Sequence, residues 1–123
     1  EDKEKMPEKY GAVSLDDFVE YSKSMFEYWT EDDFASAFRK MLTIEQFRSE
    51  EMQKLYQQYL VAGPASYVKD LFDSMGFTNA KNKAVRFYAV MHFYYSLYDG
   101  AEDTENVKDG FVSAIKSLVQ ELK

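Results

Sequence analysis

From Ser14 onward apolar residues recur every three or four positions, the spacing of helices that bury one face. Leu15, Phe18, Val19, Ser22, Met25, Phe26 and Trp29 form one stripe flanked by Tyr21 and Tyr28, and Ser14 with Asp17 makes a capping-box start. This predicts a first helix to about Trp29. Thr30 with Asp33 repeats the signature, and Glu31, Asp32 and Asp33 would sit at the positive end of the next helix dipole, so this acidic run reads as capping rather than as a cation site. The second helix, to about Phe47, is expected to bury Phe34, Ala37, Phe38, Met41, Leu42 and Ile44 and to leave the Arg39 and Lys40 side to solvent.

Ser49 caps a third stripe of Met52, Leu55, Tyr56, Tyr59 and Leu60, which Gly63 and Pro64 break or kink. Tyr67, Val68, Leu71, Phe72 and Met75 resume the period, and Gly76 is placed as a left-handed C-cap. Thr78 or Asn79 then starts a helix to about Tyr98, in which twelve of the fifteen residues from Ala84 to Tyr98 are apolar. A helix apolar nearly all round is buried nearly all round. Asp99 and Gly100 stop it, Thr104 caps the last helix, and Phe111, Ile115, Leu118 and Leu122 line one face beside a small-residue strip of Gly110, Ala114 and Ser117.

No segment sustains the alternation of a half-buried strand, so the expected class is all-α with five or six helices in a single domain over residues 14–123. Residues 1–13, charged and without a sustained period, read as a frayed lead-in or the tail of an earlier helix. The chain opens at Glu1, which is expected of a piece of a longer protein.

On a helical wheel Ala84, Tyr88, Met91, Tyr95 and Tyr98 share one face of the long apolar helix, whereas Val90, Phe93 and Leu97 share the opposite one. One layer of neighbours cannot cover both. One side can be the domain's own core; burial of the other, at about 25 cal/mol per Å², favours an intermolecular bundle, most simply a homodimer. The alternative is a central helix surrounded within the monomer.

Composition narrows the chemistry. A net charge of −7 opposes binding to a phosphate backbone. The absence of cysteine removes disulfides and thiolate sites and suits a reduced compartment, hence the expectation of a cytoplasmic protein. No apolar run reaches the length of a membrane span. His92 is the only histidine and has no Glu three or four residues away, no Gly-x-Ser-x-Gly occurs, and the five glycines are scattered singly. Neither an enzyme, a metal site nor a cofactor is expected. His92 shares a face with Tyr88, Met91 and Tyr95, as either a hydrogen-bonded core residue or part of a ligand-cavity wall, where aromatic and Met linings with a few polar tips are common.

The stretches Arg39-Lys-Met-Leu-Thr-Ile-Glu-Gln-Phe-Arg48, Leu55-Tyr-Gln-Gln-Tyr-Leu60 with Pro64 after it, and Phe87-Tyr-Ala-Val-Met-His-Phe-Tyr-Tyr-Ser-Leu-Tyr-Asp99 resemble the C-terminal regulatory domain of TetR/AcrR-family transcriptional regulators. The likeness runs from about Leu15 to the C-terminus. It implies a homodimer whose last two helices form a four-helix bundle with those of the partner. It also implies a cavity for a small hydrophobic or aromatic effector, and DNA binding by an N-terminal helix-turn-helix head. No basic three-helix module precedes Ser14, so contact with DNA would belong to a head missing from this chain.

Wheel positions and the resemblance together give the expected cavity wall as Phe18, Trp29, Phe38, Met41, Tyr56, Tyr59, Tyr88, Met91, His92 and Tyr95. They give the expected dimer seam as Val90, Phe93, Leu97, Phe111, Ala114, Ile115, Leu118 and Leu122. The competing expectation is a helical module that binds a partner protein and has no small-molecule cavity.

Overall fold

The structure is a computed structural model that describes residues 14–122; the lead-in expected over residues 1–13 lies outside the described residues. Six helices follow one another: α1 (Leu15–Glu31), α2 (Asp33–Glu45), α3 (Glu50–Leu60), α4 (Ala62–Ser74), α5 (Ala80–Gly100) and α6 (Thr104–Leu122). Each packs on the next, α6 returns to α1, and α1 also touches α5, so that α1 and α5 form the middle of the bundle.

Local signals account for most boundaries. The Ser14–Asp17 capping box is formed, and Ser49 accepts the Met52 N–H at the start of α3. Gly76 adopts φ 86°, and the Phe77 N–H reaches back to the Phe72 carbonyl while the Gly76 N–H bonds Asp73, closing α4 in a left-handed cap. Two expected caps move. Thr30 belongs to α1, where its buried hydroxyl donates to the Phe26 carbonyl, and Asp32 caps α2 instead, accepting from the Ala35 N–H. At α6 Asp103 accepts from the Asn106 N–H, one residue before the expected Thr104 cap.

The break between α3 and α4 has a covalent origin. Pro64 has no N–H to return to the Leu60 carbonyl four residues back, and the chain turns at Val61 (φ −129°, ψ −87°). Gly63 is required there, because a Cβ would run into the Gln58 carbonyl oxygen.

Aromatic rings join the layers. Phe18 packs against Phe72 of α4 and Phe87 of α5, with centroids 5.2 and 5.0 Å away. About two turns along α1, Phe26 stacks on Phe111 of α6 at 4.3 Å and on Tyr95 of α5 at 5.7 Å. Phe111, Ile115, Leu118 and Leu122 complete this core. They were expected in a dimer seam, and the fold corrects this: the α6 ridge they form is spent inside the protomer, against α1 and α5.

The α2 reading is corrected in part, although Leu42 is buried and Lys40 exposed as expected. Arg39, expected in solvent, is 4% exposed, whereas Phe34 is 74% exposed and Ile44 and Phe47 are open as well; only Ala35, Arg39 and Leu42 of this helix are buried. Its orientation follows from what Arg39 reaches. The Nε–H donates to the Trp29 carbonyl at 2.9 Å, Nη1 and Nη2 hold the two Asp99 oxygens at 2.9 and 2.7 Å, and the guanidinium lies 4.7 Å from the Tyr95 ring centroid. Trp29 is in the last turn of α1, where carbonyls lack intrahelical donors, and Asp99 is in the last turn of α5. One side chain from α2 thus satisfies the end of α1 and fastens it to the end of α5. Donor demand at two helix ends outweighs the apolar preference of the α2 stripe.

Candidate functional site

A partly open cleft of about 230 Å³ lies between α1, the α3–α4 break and α5. Tyr21, Met25 and Trp29 come from α1 at turn spacing, Tyr88, Met91 and Tyr95 come from one face of α5, and Gln58, Tyr59, Leu60, Pro64 and Tyr67 close the third side. The break at Val61 lies between Leu60 and Pro64, both of which line this side.

Beside it is a second hollow of about 150 Å³, lined by Arg39, Thr43, Tyr56, His92, Ser96 and Asp99. Leu60 and Tyr95 border both spaces and form the partition. In this wall His92 Nε2 lies 2.7 Å from the Leu60 carbonyl, the acceptor that Pro64 leaves without its helical donor, so the ring donates there and Nδ1 is its acceptor in the neutral form. Burial lowers the His92 pKa below its ordinary value, the Arg39 charge lowers it further, and the bond to Leu60 opposes both. His92 is therefore a bonded wall residue, spacing α5 from α3.

Of the expected cavity wall, the structure brings together Trp29, Tyr59, Tyr88, Met91 and Tyr95 at the larger cleft, and Tyr56 and His92 with Tyr95 at the smaller hollow. Three residues lie elsewhere. Phe18 is wholly buried in the core, Phe38 stacks on Phe34 and meets Tyr59 edge-on along the outer side of α2, and Met41 is exposed on that same side. The cleft residues missed in the sequence are Tyr21, Met25, Gln58, Leu60, Pro64 and Tyr67. Tyr21 was visible only as a flank of the α1 stripe, and Gln58 carries no periodic signal.

Around Tyr88 burial pushes the hydroxyl pKa well above its ordinary value, and the Tyr21, Tyr95 and Tyr67 hydroxyls add to the effect. Among the described residues the lining carries no Lys, Arg, Asp or Glu. Among the described residues no group of three His, Asp or Glu side chains could hold a metal ion.

The opposite face of α5 is bare. Val85, Phe93 and Leu97 follow one another along it, with Phe93 59% exposed, and Val90 is half-buried beside them. Gly110 of α6 approaches the Tyr94 ring, and Ala114 lies one turn further along, half-buried. The expected seam thus reduces to Val90, Phe93, Leu97 and Ala114, with Val85 added. No family model, curated protein or solved structure matches the chain. No helix among the described residues is long and apolar enough to cross a membrane.

Proposed function

We propose that this chain is the ligand-sensing and dimerising domain of a TetR-like transcriptional regulator, a cytoplasmic repressor whose DNA-reading head lies outside this sequence. The observation that carries the reading is the two-sidedness of α5: Tyr88, Met91 and Tyr95 line the cleft, and Val85, Phe93 and Leu97 on the reverse side are open. A second copy packed on that open side would give the two-fold helix bundle that the family resemblance implies. A ligand wedged between α1, the α3–α4 break and α5 would then favour one position of α5, and the two-fold axis would pass the change to both heads.

Two pins hold α5 at the cleft: Arg39–Asp99 to the end of α1, and His92–Leu60 to the end of α3. Both act on the wall that a ligand would press. The test is a thermal-shift screen of small aromatic molecules, with hits followed through Trp29, the single tryptophan and a lining residue. A hit should quench Trp29 emission and lose affinity in Tyr88→Ala. A hit unaffected by Tyr88→Ala and silent at Trp29 would remove the cleft from the proposal.

The exposed Phe34 and Ile44 of α2, with Phe47 in the turn after it, favour a second reading, a module that docks on a partner protein through these apolar side chains. A complete failure of the ligand screen would move the weight to it.

A further inference from the structure

The cleft's lining also restricts the charge and shape of what it can hold, an inference that rests on the ligand-sensing reading above. An anion would enter a space with no cationic side chain in its wall among the described residues, in a chain of net charge −7. The nearest guanidinium, Arg39, has given its donors to Asp99 and Trp29, and His92 has given its N–H to Leu60. An anion would leave water without compensation.

What the wall does offer is flat apolar surface with neutral polar tips. Trp29, Met25 and Met91 supply the surface, and Gln58 and the Tyr88 hydroxyl supply hydrogen bonds. The Tyr88 hydroxyl stays protonated across the physiological range. A space of about 230 Å³ is below the usual size of a drug-sized pocket and suits one or two rings.

We infer that the cleft takes a flat molecule of one or two aromatic rings bearing a hydrogen-bonding oxygen, of the phenol or aryl-ketone class, and discriminates against anionic analogues of the same shape.

Three ligands built on one skeleton test this: 2-naphthol, naphthalene and 2-naphthoate, titrated into the wild-type chain by calorimetry and by Trp29 quenching. The inference expects 2-naphthol to bind at least about tenfold more tightly than 2-naphthoate, because the carboxylate finds no partner in the wall. Tyr88→Phe should reduce the advantage of 2-naphthol over naphthalene by about three- to tenfold while leaving naphthalene unchanged. If 2-naphthoate binds as tightly as 2-naphthol and quenches Trp29, the ligand class is wrong and the cleft remains a binding site. If none of the three binds, the ligand class falls, and the ligand-sensing reading falls with it only if the wider aromatic screen also gives no hit.

Discussion

Replacing Asp99 by Ala would strip the buried Arg39 guanidinium of the one anionic partner it has among the described residues and leave it the Trp29 carbonyl and the Tyr95 ring. Removing one member of a buried ion pair costs about 3–5 kcal/mol when both are dry. Here the Arg39 side chain is 5% exposed but that of Asp99 is 30% exposed, so water can enter where the carboxylate was. The expected loss is therefore at or just below the lower end, about 2–3 kcal/mol. Arg39→Met, which leaves Asp99 to solvent and the Trp29 carbonyl without that donor, should cost about 2 kcal/mol. The double variant Arg39→Met, Asp99→Leu should recover part of either single loss, with a coupling of at least about 1 kcal/mol. Urea unfolding followed by circular dichroism and by Trp29 emission, at one fixed protein concentration, measures all four proteins. Losses under about 0.5 kcal/mol for both single variants, at the level of ordinary surface substitutions, would refute the inward placement of Arg39 and with it the orientation of α2.

The other predictions concern the break, the histidine and the α1–α6 tie. Gly63→Ala, whose Cβ would collide with the Gln58 carbonyl, should destabilise by about 1–3 kcal/mol or shift the α3–α4 junction, read by urea titration and by loss of ligand-induced quenching of Trp29. Because the folded pKa of His92 lies below its unfolded value of 6.5, the unfolded chain binds more protons between the two. Stability from this group is thus complete above about pH 6.5 and falls as pH drops through the folded pKa, a slope in melting temperature that His92→Gln should flatten. Lys108, whose ammonium reaches Glu27 and Glu31 of α1 at 3.2 and 2.9 Å and Glu105 at 3.4 Å, has its pKa raised first by the bond to Glu31. Lys108→Met would leave three carboxylates facing one another, and should cost about 1 kcal/mol at low salt, less as added salt screens the pair, in a thermal melt.

Much of this fold was legible in the sequence because several signals are local. Ser14, Ser49 and Gly76 act on neighbours within a turn, and the Gly63–Pro64 break follows from a missing donor four residues from its acceptor. The two faces of α5 were readable too, since a wheel separates Met91 and Tyr95 from Phe93 and Leu97 whatever surrounds them. The orientation of α2 was not readable. Its apolar stripe points one way, and the partners that decide the matter, Trp29 and Asp99, are ten and sixty residues from Arg39. For the same reason Phe111, Ile115, Leu118 and Leu122 could be assigned to an interface: the pattern shows that a ridge is buried, but not by which chain. Five of the eleven cleft residues come from the α3–α4 side, where placement depends on the turn at Val61 rather than on period alone.

Dimerisation through the bare side of α5 is the central claim, and its energetic weight sits on one ring. Phe93, 59% exposed in the protomer, would withdraw on the order of 100 Å² in a dimer, about 2.5 kcal/mol per copy and twice that across a two-fold axis. Sedimentation equilibrium of the wild-type chain beside Phe93→Glu measures it directly. The account predicts a wild-type dimer at micromolar concentration and a folded, monomeric Phe93→Glu whose dissociation constant is raised by more than about a thousandfold. A wild-type chain that sediments as a monomer there, or a Phe93→Glu variant that remains a dimer, would contradict it.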